Sequence, residues 1–152
     1  CLEGALARIG ATPERASPRT DGDAAADDLL PTPLLGRLGV AANDIRWRFL
    51  LPGLSEHKLE GFAGEEVRLL RARPGTRILQ HTHVGEEATL VLCGRMKDGD
   101  RVYARGDVAL ADAEDDHHPE IVGDEVCICL VVLTGPMRFT GPVGRALNIF
   151  NG

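Results

Sequence analysis

An all-β fold, a barrel or sandwich of short strands, is what the sequence predicts, and three observations carry it. Short apolar and β-branched runs recur from Ile45 to Thr140, separated by turn-forming pairs such as Pro52-Gly53, Pro74-Gly75, Asp98-Gly99 and Gly135-Pro136. No long stretch in that region keeps a helical period, which leaves sheet-on-sheet packing as the way to bury the apolar faces. Finally, Cys127 to Leu133 is apolar on both faces, as a strand at the centre of a sheet must be. Its outer face calls for cover by a second sheet or a partner chain.

Taken in order, residues 1–10 set Leu2, Leu6 and Ile9 at helical spacing, which reads as the tail of an amphipathic helix. Residues 11–28 shift to Ala, Pro, Arg, Thr and Asp, with too few large apolar groups to offset the entropy of ordering, and read as a linker. Residues 29–152 form the globular unit. It opens with a short helix capped by Thr32, with Pro33 in the first turn, running to Leu38 and ended by Gly39. Strands are expected at Ile45 to Leu51, Glu56 to Phe62, Val67 to Arg73, Ala88 to Cys93, Arg101 to Tyr103, Asp107 to Leu110, Val126 to Thr134 and Met137 to Thr140. Asp98-Gly99 suits a type I′ hairpin turn, which needs positive φ at both central residues.

A formal net charge of −6, with basic residues scattered among acids, excludes direct nucleic-acid binding through a basic stripe. No apolar run nears the roughly 20 residues that span a bilayer, and the expected compartment is the cytoplasm. Cys93, Cys127 and Cys129 lie in apolar runs, where reduced cysteine acts as a small hydrophobe, so free thiols are expected. The chain begins at Cys1 rather than Met, as a fragment or a processed product would. The aromatics Trp47, Phe49, Phe62, Tyr103, Phe139 and Phe150 read as core or rim residues, and His57, among charged neighbours, as a surface group.

The stretch that carries chemistry is Gly75 to Gly94. In a strand His81 and His83 share a face, ~6.6 Å apart along the chain, and can converge on one ion. Glu87 has the same parity if the strand runs unbroken, whereas Glu86 does not; Gly85 allows a kink between them. The parity also places Cys93 on the cavity side. A further histidine, His117 or His118, stands within reach of being a fourth ligand, and Asp115 and Asp116 beside it are candidates to orient an imidazole or are simply an exposed acidic turn. Imidazoles with a carboxylate suit a divalent first-row metal.

The pattern Gly75-x5-His81-x-His83-x3-Glu87-x6-Gly94 resembles the first motif of the cupin superfamily at every named position, and Gly106-Asp107 followed by His117 resembles a loose second motif. Within the cupins, residues 30 to 150 resemble the C-terminal cupin-like domain of ChrR-type zinc-dependent anti-sigma factors. The strings that carry this are Arg46-Trp47-Arg48, His83 to Leu92, Tyr103 to Asp107, Asp112-x4-His117-x-Pro119, Cys127-Ile128-Cys129-Leu130 and Arg138-Phe139-Thr140-Gly141. The resemblance implies a double-stranded β-helix, or jelly-roll barrel, and a zinc site of His81, His83, Glu87 and, from its His-x-Pro context, His117. It further implies an oxidant-responsive regulator that acts on an extracytoplasmic-function sigma factor in a singlet-oxygen type of stress response. The sigma contact would then be made by a preceding helical domain with a His-x3-Cys-x2-Cys motif, which these residues lack. Cys127 and Cys129 would be oxidant-sensitive thiols or core filling.

Two other functions are compatible with the same motif. Other cupins hold iron, manganese or nickel in such a site and act as enzymes, small-molecule dioxygenases among them. A catalytic site should keep a pocket lined by convergent polar groups, yet the segments near Ile45 to Phe49 and Met137 to Phe139 are apolar apart from arginines. A metal-stabilised homo-oligomer is the third reading, resting on the doubly apolar strand.

Overall fold

A computed structural model describes residues 30–39 and 42–142. The expected helical tail at 1–10, the linker at 11–28 and Phe150 lie outside them. Helix α1 (Thr32–Leu38) is followed by a 3-10 turn (Ala42–Asp44). The strands are β1 (Arg48–Leu51), β2 (Leu54–Leu59), β3 (Glu66–Ala72), β4 (His81–His83), β5 (Glu87–Cys93), β6 (Arg95–Asp98), β7 (Arg101–Ala104), β8 (Val108–Ala111), β9 (Glu120–Val122), β10 (Cys127–Leu133) and β11 (Met137–Phe139). No helix among the described residues is long and apolar enough to cross a membrane.

The strands form two layers. The larger is an antiparallel six-stranded sheet in the order β1-β2-β3-β10-β5-β8. The other contains the sheet β7-β6-β9 and the pair β11-β4. Backbone bonds from residues 75–81 to residues 117–121 tie these two pieces together, among them Ile78 N–H to Pro119 O at 2.8 Å. Between the layers, Leu54, Val91, Val131 and Leu133 of the large sheet pack with Met96 and Ile121 of the small one. This is the expected jelly roll, with two hydrogen-bonded sheets facing each other across the core.

As expected, β10 is central, paired with β3 on one side and β5 on the other. Its outer face is covered differently from expectation. Ile128 and Leu130 pack with Leu30, Leu34, Leu35, Leu38, Ile45 and Trp47, so the N-terminal segment of the same domain supplies the second core. Pro31, not Thr32, is the N-cap, and no side chain caps the helix; Gly39 ends it at φ 67°.

Three local readings change. The β6–β7 register pairs Asp98 with Arg101, which makes Gly99 and Asp100 the central turn residues. Only Gly99 has positive φ, as in a type II′ turn rather than type I′. Along β5, Cys129 opposes Val91 but Ile128 opposes Cys93, so Leu92 is an extra residue, a β-bulge. The bulge inverts the parity, and Cys93 packs into the outer core instead of facing the cavity. Phe49 is exposed on edge strand β1, and Phe62 is exposed with the Arg37 guanidinium 4.9 Å above its ring.

The motif glycines at 75 and 94 both have positive φ, at 77° and 72°. At Gly94 an added Cβ would also meet Val126 O at 2.6 Å and Cys127 Cα at 2.8 Å, whereas at Gly75 it would meet nothing within 4 Å. Gly94→Ala is therefore expected to cost about 2 kcal/mol or more, and Gly75→Ala about 1 kcal/mol. Urea denaturation of the two variants checks the order, and equal costs would contradict this account of the backbone contact.

Candidate metal centre

His81 and His83 lie on β4, whose pairing sets His81 opposite Phe139 and His83 opposite Met137 on β11. Strand alternation turns both imidazoles inward and Thr82 outward, and the two histidines are only 2% exposed. His117 comes from a separate segment. It sits directly opposite His81, each N–H donating to the other's carbonyl at 3.0 Å, which puts the two side chains on the same face. His118 is exposed and stands outside the cluster.

Glu87 arrives by a route the parity argument did not contain. The strand does not run unbroken from His81. It ends at His83, turns through residues 84–86 and re-enters as β5 in the large sheet, so Glu87 approaches from the opposite layer. Thr134 fastens the corner, its N–H donating to Glu86 O at 3.0 Å and its Oγ1 accepting from Glu86 N–H at 2.8 Å. A side chain at Gly85 would collide with Thr134 Oγ1 at 2.5 Å, so this glycine is required by close approach. Glu86 is exposed.

One ligand atom from each of His81, His83, Glu87 and His117 lies within 4.8 Å of the others. His83 Nε2 is 3.0 Å from His117 Nε2 and 3.4 Å from Glu87 Oε2. A tetrahedral ion with bonds of ~2.1 Å holds its donors ~3.4 Å apart, so this donor set fits a zinc-sized cation. The outward atoms of the same groups are held by hydrogen bonds. His81 Nδ1–H donates to Leu79 O at 2.6 Å, His117 Nδ1–H to Asp98 Oδ2 at 2.6 Å, and Thr89 Oγ1–H to Glu87 Oε1 at 3.0 Å. His81 and His117 are thereby left with Nε2 toward the centre, the arrangement by which neighbouring groups orient metal ligands. Nδ1 of His83 is buried without a hydrogen-bond partner, and nothing in the surroundings explains it.

Burial holds His81 and His83 below the ordinary imidazole range, which favours the neutral ring that ligation needs. Burial also pulls on His117, but the hydrogen bond and charge of Asp98 outweigh it and raise that histidine. Asp98 in turn is lowered, first by its hydrogen bond to His117. Of the two readings of Asp115 and Asp116, orienting groups or an exposed acidic turn, the structure shows the turn: both are exposed. Asp115 closes the acidic turn by accepting from Asp112 N–H, and Asp116 binds Gln80 and Thr140. Asp98 escaped a sequence reading because it looked like a turn residue; it is the last residue of β6.

Beside the cluster the two layers enclose a cavity of about 660 Å³, with His81, Glu87 and Thr89 on its wall. The cavity also holds an ion-pair network that the sequence did not suggest. Glu56, fully buried, binds Arg48 through Oε1 and Arg68 through Oε2, the latter at 3.0 Å. The signal was parity, since Leu54, Glu56 and Lys58 share a face and Leu54 must be core. His57, on the other face, is half-buried, with Nδ1 on Arg46 O at 3.0 Å. The Sγ atoms of Cys127 and Cys129 are 3.6 Å apart on the cavity wall, and hydrogen bonding and burial hold Cys129 far above the usual thiol range.

Comparison with known proteins gives a consistent picture. A family described as the ChrR cupin-like domain matches residues 35–138. The anti-sigma-E factor ChrR of Cereibacter sphaeroides is 35% identical over 148 residues, 97% of this chain and 70% of that protein. Among solved structures, Rhodobacter sphaeroides SigE in complex with the anti-sigma ChrR matches with a TM-score of 0.66 at 29% identity, covering 87% of this chain and 75% of that one. An RmlC-like cupin protein from Ralstonia eutropha JMP134 matches with a TM-score of 0.57 at 19% identity, over 72% and 81% of the two chains, a likeness of fold alone.

Asp98→Asn removes the charge that raises His117. On chelator-treated protein the His117 pKa is expected to fall, so the imidazolium form should need a lower pH, while His83 should stay depressed. Imidazole NMR titration of the variant reads this directly. An unchanged His117 would mean that Asp98 does not control it.

Proposed function

The chain belongs to the ChrR cupin-like family, and on that premise we propose that it is the responsive, metal-binding part of an anti-sigma factor in the cytoplasm. The observation that carries this is the match to an anti-sigma factor over 97% of the chain. His81, His83, Glu87 and His117 are the proposed ligands and zinc the proposed ion, which would supply a redox-silent structural link rather than chemistry of its own. Ligand binding to the ion contributes folding free energy, so damage to one ligand loosens the domain, and oxidation of the buried Cys127 or Cys129 thiol would loosen it separately by putting polar oxygen into the core. The proposed signal is an oxidant of the singlet-oxygen type, and the proposed consequence is release of an extracytoplasmic-function sigma factor. The His-x3-Cys-x2-Cys motif of a zinc anti-sigma domain is absent from these 152 residues, so the chain is read as the responsive rather than the inhibitory part. A net charge of −6 gives it no role in binding nucleic acid directly.

A second reading, a metal-dependent enzyme such as a dioxygenase, is favoured by one observation. The cavity beside the donor cluster is open and partly polar, where a pure sensor could be filled.

Plasma mass spectrometry of the purified protein separates the readings. About one zinc per chain is expected, lost from His81→Ala and from Glu87→Ala. Iron, manganese or nickel accompanied by oxygen uptake would favour the enzyme. Absence of any metal would remove both, and sigma inhibition that persists in the oxidant-treated factor would count against regulation.

A further inference from the structure

The geometry points to the cavity as the binding site of a small molecule with one carboxylate and an apolar body, distinct from any ion at the histidines. Its volume of about 660 Å³ lies in the range of small-molecule sites, and close-packed interiors do not keep such space without cost. Leu70, Val131, Leu133, Met137 and Phe139 make an apolar wall between two polar poles. One pole is the donor cluster, through His81 and Glu87. The other is the network of Arg48, Glu56, Lys58, Glu66 and Arg68.

That network holds three cations and two carboxylates. Both oxygens of Glu56 are taken, by Arg48 and Arg68, and Glu66 is shared by Lys58 at 2.9 Å and by Arg68. One positive charge is left over at this pole, the third carboxylate of the wall, Glu87, belonging to the donor cluster at the other. A monocarboxylate cancels it. The side chains of Arg48, Lys58 and Glu66 are 66%, 50% and 42% exposed, against 0% for Glu56, so the cavity opens at this pole and two cations outnumber one carboxylate at its mouth. Arg68, Val131 and Thr89 lie opposite one another on β3, β10 and β5. The poles are thus two strand spacings apart, ~10 Å, with the apolar body lying across Val131.

Calorimetric titration of the protein as purified with decanoate, decanol and decylamine tests this. Decanoate is expected to bind with a Kd of about 1 mM or tighter, and about tenfold more tightly than either of the others. Lys58→Glu alters a half-exposed side chain, turns the surplus positive charge into a negative one, and should weaken decanoate about tenfold while favouring decylamine. Met137→Trp adds bulk to the apolar wall and should weaken binding of decanoate and decylamine alike. The assignment is overturned by equal affinity for decanoate and decanol, by unchanged decanoate affinity in Lys58→Glu, or by no binding to protein with a native circular dichroism spectrum. It is also overturned if chelation removes decanoate binding that Lys58→Glu leaves intact, because the carboxylate would then sit on the ion. None of these outcomes depends on the sigma partner or on which metal is present.

Discussion

The reciprocal pair of backbone bonds between His81 and His117 is the constraint on which the centre depends. Antiparallel partners directly opposite each other must project their side chains to the same face, so two bonds between peptide groups align two imidazoles from segments far apart in the chain. The same ladder, continued by Ile78 with Pro119 and by Thr76 with Ile121, joins the three-stranded sheet to the β11-β4 pair. Alignment of the donors and continuity of the smaller layer therefore have one cause. Strand alternation then adds His83 without any further device.

The ion-pair network at the other pole is harder to account for by stability. Taking Glu56 wholly out of water costs several kcal/mol, and two guanidinium partners roughly return that cost without a clear surplus. Apolar residues of the same volume would do as well for folding alone. Specificity of what the cavity admits is the more economical reason for charges at that place. The leftover apolar space and the leftover positive charge point the same way.

Much of this architecture was legible in the residues. Turn pairs and short apolar runs are local signals, and they located most strands and the central place of β10. The His81, His83 and Glu87 spacing is legible as a motif, but parity along one strand does not describe a chain that changes layers at Gly85. Likewise an unbroken period puts Cys93 on the cavity side, and a bulge of one residue at Leu92, which no periodicity reveals, turns it to the other face. Asp98 and Glu56 are illegible for the opposite reason. Charged residues near turns and among other charges look solvated until their partners are known, and those partners, His117 and Arg68, are distant in sequence.

The corner at residues 84–86 has a consequence beyond placing Glu87. Three of the four donors belong to the smaller layer and the fourth to the larger one, so the cluster is a gauge of the gap between two sheets. A shear or parting of the layers changes the distance from Glu87 to the histidines before it breaks any strand pairing. Conversely, whatever fills or empties the cavity presses on the same gap. The fold thus makes one small cluster the place where a mechanical displacement of whole sheets is converted into a change in the spacing of four donor groups.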